Sequence, residues 1–173
     1  ELLMPDQFID IAEDTGLIAD LGARVLTIAV SRLAAWNERS QVSSGDEPLS
    51  MAVNVSARQL SDPMFPRLVA STLADNRVDP THVALEFTES ALIAANPVTG
   101  SVLGELTALG VRMGLDDFGT GFSSLAYLKR FPIDFLKIDR SFVAGLREDE
   151  VRDPVPAAER DGDDTAIVTG TIA

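Results

Sequence analysis

Two kinds of hydrophobic pattern alternate along this chain. Near its start, Pro5 precedes Asp6-Gln7-Phe8-Ile9-Asp10-Ile11-Ala12-Glu13. Proline early, acids in the first turns and apolar residues at helical spacing predict a helix start there. Gly16 is the expected break. A second helix is predicted from Asp20 to about Arg39, with Leu21, Val25, Ile28, Leu33 and Trp36 on or near one stripe. Residues 40–48, rich in Ser, Gly, Asp and Pro, have the composition of a loop. A regular rhythm follows. Short apolar runs occupy residues 49–55, 83–87, 111–115 and 135–138. Between them, helical patterns fall at about 63–76 and 98–109, with a short one near 123–131. Apolar runs alternating with helices predict parallel βα units. Their continuous apolar character predicts strands buried on both faces. Beyond Leu146 the texture changes. Residues 147–164 are charged, contain Pro154 and Pro156 and lack apolar periodicity, which predicts a mobile surface loop; residues 165–173 have the pattern of a beginning helix.

Composition narrows the functional classes. With 173 residues, 46% of them hydrophobic and 24% charged, the chain has the make-up of one globular core. Aromatic residues are 6%, so the core is expected to be aliphatic. Fourteen basic against 27 acidic side chains leave a net charge of −13. That balance argues against wrapping a nucleic-acid polymer, where binding is driven by cations neutralising phosphates. A small phosphorylated ligand remains compatible if divalent metal ions supply the positive charge. The absence of cysteine excludes disulfides and thiolate metal sites, and it fits a reducing cytoplasm. No run reaches the roughly 18 apolar residues that span a bilayer. Residues 17–36 are interrupted by Asp20, Arg24 and Arg32 and read as an amphipathic helix, and the start carries no signal-peptide pattern. The expected location is the cytoplasm, or the cytoplasmic part of a membrane-anchored protein, with no membrane contact from this segment.

The chemistry gathers at the ends of the apolar runs. The first stops at Asn54, the second at Glu86, the third at Asp116-Asp117 and the fourth at Lys137 and Asp139. In a parallel βα barrel the C-terminal strand ends share one rim, and active sites are built there. Carboxylates held close would repel one another or demand cations. Oxygen-only ligands suit Mg²⁺ or Mn²⁺. Two such ions roughly 3.5–4 Å apart can activate water and stabilise the leaving oxygen of a phosphodiester. Lys137 could orient that water or neutralise developing charge. Structural readings stand beside these. An acid after a strand is commonly a helix cap or turn former, Asp116-Asp117 could simply open the next loop, and Asn54 could cap the segment starting at Ala57. His82, the single histidine, precedes a strand rather than ending one. Agreement among the runs, not any one residue, favours a site. The loop from Asp117 to Ser124 holds Gly119, Thr120 and Gly121, whose glycines permit close approach to a ligand and suggest a flap.

Several of these segments resemble a known family. Asp116-Asp117-Phe118-Gly119-Thr120-Gly121-Phe122-Ser123-Ser124-Leu125 closely resembles the signature loop of EAL-domain cyclic-di-GMP phosphodiesterases. Residues 2–18, 53–60, 85–90 and 135–143 resemble other segments of that family, in order, over about residues 2–146. The resemblance implies a TIM-like βα barrel, incomplete in these residues, that hydrolyses cyclic di-GMP to linear pGpG. It implies Asn54, Glu86 and Asp116 as metal ligands and Asp117 as a ligand of a second metal. Lys137 and Asp139 match residues around that second metal and the attacking water, and Glu89 matches the glutamate that shapes the glycine-containing loop. The Glu-Ala-Leu tripeptide itself does not occur in the sequence, nor does the family's later glutamate-bearing segment. The isolated chain is therefore expected to be inactive or nearly so, and to associate through exposed sheet edges, as in a homodimer. A diguanylate-cyclase-like or sensor domain is an expected neighbour. A non-catalytic module that binds cyclic di-GMP or a protein partner is the alternative.

Overall fold

The computed structural model describes residues 3–43, 47–93, 97–119, 131–139 and 141. The chain enters through a 3₁₀ turn at Pro5–Gln7, where the Gln7 side chain accepts a hydrogen bond from the Met4 N–H at 2.8 Å. Helix α1 (Ile9–Thr15) stops at Gly16, whose φ of 83° is the left-handed conformation that ends helices and that glycine adopts without steric cost.

Helix α2 (Ile18–Ser43) extends beyond its expected limits and takes in residues 40–43, whose composition had suggested a loop. Between Gly22 and Gly45 no glycine or proline occurs to stop it. Asn37, within this helix, clamps the chain as it returns at Leu49. Its side-chain oxygen accepts from the Leu49 N–H at 2.8 Å, and its amide donates to the Leu49 carbonyl at 3.1 Å. The expected apolar stripe of α2 is corrected as well. The face that packs is Leu26, Val30 and Leu33, at spacings of four and three. Val25, Ile28 and Trp36 are exposed on another face, so of the expected stripe only Leu33 reaches the core.

Strands β1 (Met51–Asn54), β2 (Val83–Thr88), β3 (Arg112–Phe118) and β4 (Phe135–Ile138) form one parallel sheet in the order β1-β2-β3-β4. Short helices α3 (Ala57–Leu60) and α5 (Glu89–Ile93) follow β1 and β2, and α4 (Phe65–Asn76) and α6 (Pro97–Leu109) return the chain to the next strand. Sequential parallel order is the winding of a barrel, in contrast to the reversed order of doubly wound sheets.

Alternation along the strands sorts their side chains. Val53, Leu85, Phe87, Met113 and Leu115 join Leu26, Val30 and Leu33 of α2, Val69 and Leu73 of α4, and Val102, Leu103 and Leu106 of α6 in one aliphatic core. The alternate positions (Ala52 and Asn54; Ala84, Glu86 and Thr88; Arg112, Gly114 and Asp116; Phe135 and Lys137) fall on the opposite face by the two-residue period. Burial on both faces holds for β2 up to Thr88. In β1 and β3 the alternates Ala52, Asn54 and Arg112 are exposed, and in β4 Lys137 is exposed and the other residues half-buried, which corrects that expectation for these strands. The short helix expected near 123–131 falls, apart from Phe131, outside the described residues, as do the segments 147–164 and 165–173.

Candidate metal site at the strand ends

Strand register places the site. Asn54 pairs with Glu86, Glu86 with Gly114, and Gly114 with Phe135. Two residues further on, Thr88 pairs with Asp116, and Lys137 lies two beyond Phe135. Asn54, Glu86, Asp116 and Lys137 therefore occupy one face, near the C-terminal ends of neighbouring parallel strands. The β3–β4 ladder slips on the way. From Leu115 to Phe118 β3 advances three residues while β4 advances two, from Leu136 to Ile138. The extra residue is a bulge, and Asp117 within it has a φ of 54°. Aspartate tolerates this left-handed conformation better than most residues, and bulges of this kind re-aim side chains beside active sites.

Lys137 ties the carboxylates together. Its ammonium donates to Glu86 Oε2 at 2.8 Å and to Asp116 Oδ2 at 3.1 Å. The side chain of Glu86 is 9% exposed, that of Asp116 24% and that of Lys137 47%. The Glu86 hydrogen bond, against a smaller opposing effect of desolvation and with help from Asp116, raises the Lys137 pKa above its ordinary value. Among the described residues, no three His, Asp or Glu side chains form a group able to hold a metal ion. The two carboxylates that do converge meet on the Lys137 nitrogen, which stands where positive charge is required. With the Asn54 carboxamide in register beside Glu86, they form an all-oxygen donor set suited to a hard divalent cation.

Glu89 is 2% exposed and belongs to a neighbouring arrangement. Its Oε2 accepts from the Gly119 N–H at 3.2 Å, linking the start of α5 to the loop that leaves β3. Thr88 begins that helix, its hydroxyl accepting from the Ala91 N–H at 3.3 Å. Gly119 has a φ of 104°, which glycine alone adopts readily. Thr120 and Gly121, the remaining residues of the expected substrate loop, lie outside the described residues.

The structural alternatives resolve differently at each position. Ser56, not Asn54, caps α3. Its hydroxyl accepts from the Gln59 N–H at 3.3 Å while Gln59 Oε1 accepts from the Ser56 N–H at 3.2 Å, a reciprocal capping box. Asp139 does behave as a local turn former. Its Oδ1 accepts from the N–H and the hydroxyl of Ser141, and its own N–H donates to the Phe118 carbonyl at 3.2 Å. His82 closes the 3₁₀ turn Pro80–His82 ahead of β2, at the strand end away from Glu86. Gly114 went unremarked in the sequence, although a glycine inside an apolar run signals close approach. It pairs with Glu86 on one side and Phe135 on the other, and a Cβ there would collide with the Phe135 ring.

Comparison with known proteins gives this geometry a family. The family model described as "EAL domain" matches residues 1–155. The chain is 37% identical over 172 residues to the bifunctional diguanylate cyclase/cyclic di-GMP phosphodiesterase MucR of Pseudomonas aeruginosa, covering 99% of this chain and 23% of that protein. It is 38% identical over 150 residues to the cyclic di-GMP phosphodiesterase PdeR of Escherichia coli, covering 87% of this chain and 22% of that protein. An uncharacterized signaling protein of Caulobacter vibrioides is 44% identical over 145 residues, with 84% of this chain and 17% of that protein covered. The chain thus spans about a fifth of the length of these relatives. Among solved structures, the P. aeruginosa MucR phosphodiesterase in complex with c-di-GMP superposes with a TM-score of 0.79 at 36% identity, over 99% of this chain and 67% of that one. The EAL enzyme Bd1971 with cAMP and cyclic di-GMP bound gives 0.81 at 29% identity, over 99% of this chain and 43% of that one. EAL domains have a TIM-barrel-like fold, and the sequential parallel strands here are part of such a winding. Both the matched length and the winding of the sheet place this chain in the EAL-domain family.

Proposed function

We propose that the protein carrying this sequence is a divalent-metal-dependent phosphodiesterase that opens cyclic di-GMP to linear pGpG. The observation that carries the reading is the convergence of Glu86 and Asp116 on one positive charge, with Asn54 in register beside them, at the strand ends of an EAL-domain chain. Relatives named as cyclic di-GMP phosphodiesterases support it. In this reading Asn54, Glu86, Asp116 and Asp117 hold Mg²⁺ or Mn²⁺. The metal, when bound, supplies Lewis-acid charge on the phosphate and lowers the pKa of the attacking water. Lys137 brings positive charge to the same face. Asp139, whose N–H donates to the Phe118 carbonyl and whose carboxylate accepts from the Ser141 N–H, acts in this reading with Lys137 around the second metal and the attacking water. Glu89, by accepting from the Gly119 N–H, shapes the start of the loop whose Gly119, Thr120 and Gly121 approach the substrate. The reaction adds one water across one of the two phosphodiesters, leaving a terminal phosphate on the linear product.

The same reading makes residues 1–146 the family-like portion of an EAL domain and residues 147–164 an insertion. It places the domain in the cytoplasm; among the described residues no helix is long and apolar enough to cross a membrane. It also allows a diguanylate-cyclase-like or sensor domain in the same protein, and self-association through the sheet edges at β1 and β4, each paired on one side among the described residues.

The test is incubation of the full-length protein with cyclic di-GMP and Mg²⁺ or Mn²⁺, with the product resolved by chromatography. Linear pGpG is expected, and Glu86→Gln and Asp116→Asn should each lower kcat/KM by about a hundredfold or more. Stabilisation by cyclic di-GMP without hydrolysis would replace this reading with that of a non-catalytic binding module. Neither stabilisation nor hydrolysis would remove both.

A further inference from the structure

We propose that Lys137 is a place-holding cation, its ammonium occupying the Glu86–Asp116 carboxylate pair until a divalent metal displaces it. The inference rests on the metal-dependent reading above and concerns how the site is kept ready for loading.

The two carboxylates arrive from different strands, 51 and 21 residues from Lys137 in sequence, at 2.8 and 3.1 Å from its nitrogen. Two acids brought this close need positive charge nearby whether or not a metal is bound, and a shielded one needs it most. Glu86 is the shielded and immobile member. Its side chain is 9% exposed, its strand pairs on both sides, and its carbonyl accepts from the Val55 N–H at 2.7 Å. Lys137 is the mobile member, 47% exposed on a flexible four-carbon stem. A divalent metal held by Glu86 and Asp116 would compete with the ammonium for the negative charge of these two carboxylates, and the lysine is the cation able to leave. Release costs the lysine little because its stem already reaches solvent. It also sets a second positive charge free on the face that an anionic phosphodiester would approach.

The competition has a measurable sign. Metal titration of the full-length protein by calorimetry, with MgCl₂ or MnCl₂ and no nucleotide, should give about fivefold tighter binding for Lys137→Met than for wild type, from the loss of two partly screened ion pairs. Lys137→Arg, which keeps the charge, should stay near wild type. In metal-free buffer Lys137→Met should melt below wild type, and the gap should close at saturating metal, because the metal then supplies the missing charge. Where Lys137→Met folds poorly, the wild type and the charge-keeping Lys137→Arg answer instead. After reductive ¹³C-methylation, the Lys137 signal, assigned by its absence from the Lys137→Arg spectrum, should move toward the position of a solvated lysine on metal addition. Equal or weaker metal binding by Lys137→Met, or an unmoved Lys137 signal at saturating metal, overturns the place-holder and leaves the phosphodiesterase reading standing. Failure of wild type and both variants to bind either metal overturns both.

Discussion

Gly114→Ala tests how tightly the candidate site is built into the sheet. Gly114 lies in β3 between Glu86 of β2 and Phe135 of β4, and an alanine Cβ there would sit inside van der Waals contact of Phe135 Cζ and Cε2. The obstacle is the end of an aromatic side chain that is half-buried, so the ring can swing aside. Swinging gives up its place under the Arg112 guanidinium, now 5.2 Å from the ring centroid. Overpacking of this kind typically costs about 1–3 kcal/mol, and an exposed cation–π contact adds about 0.5–1 kcal/mol. Alanine returns about 0.5–1 kcal/mol by removing glycine's excess freedom in the unfolded chain. The expected net loss is about 1–3 kcal/mol, which for a domain of this size lowers Tm by about 2–12 °C. Urea unfolding should show the shift in midpoint without a change in slope. A second substitution isolates the cause: Phe135→Leu in the Gly114→Ala background should recover most of the loss, with a coupling energy of about 1 kcal/mol or more. Gly104→Ala in α6, where a Cβ meets nothing within 4 Å, should instead stabilise by about 0.5–1 kcal/mol. If Gly114→Ala is neutral, or the pair of substitutions is merely additive, the close approach of β3 and β4 at this point is not what restricts the position.

Other outcomes follow from the same geometry. Glu89→Ala should cost about 1.5–3 kcal/mol, the value of a hydrogen bond to a charged group, and should speed amide exchange at Gly119; unchanged exchange there would show that the Glu89 carboxylate does not hold the loop. Gly22→Ala should push into the Gln59 carboxamide and break the Ser56–Gln59 capping box, costing about 1–2 kcal/mol, and Ser56→Ala should by itself cost about 1 kcal/mol; a neutral Gly22→Ala would mean that Gln59 has room to move. Hydrogen bonds from the Thr81 hydroxyl and N–H hold the Asp79 carboxyl below its ordinary value. A lowered folded pKa contributes stability that is present above the ordinary carboxylate pKa and lost as pH falls through the lowered value. Asp79→Asn should therefore flatten the acid limb of the Tm–pH profile, and an unaltered limb would refute that role.

The helices and strands were largely readable because they rest on local pattern. The β4 run at 135–138 was matched to the residue, and α4, α6 and the stop at Gly16 fell within about two residues of expectation. The inward face of α2 was misread for a physical reason. An all-round mixture of apolar and small residues offers more than one stripe at helical spacing, and only packing against β1 and α4 selects Leu26, Val30 and Leu33. Asn54 is a good capping residue close to the start of α3 and so could be read as its cap; the reciprocal bonds with Gln59 decide for Ser56.

By itself the sequence determined that short apolar runs end in acids, an amide and a lysine, and that this order resembles an EAL domain. Those features belong to single segments and need no knowledge of their neighbours. Which acids meet was decided by tertiary structure. The two-residue period assigns a side chain to one face of its own strand, but the faces of different strands coincide only through pairing register. Here the register aligns Asn54 with Glu86, the bulge at Asp117 interrupts the ladder between β3 and β4, and Lys137 comes to rest between Glu86 and Asp116. The Glu89–Gly119 bond, spanning 30 residues, was likewise fixed by where β2 and β3 lie side by side.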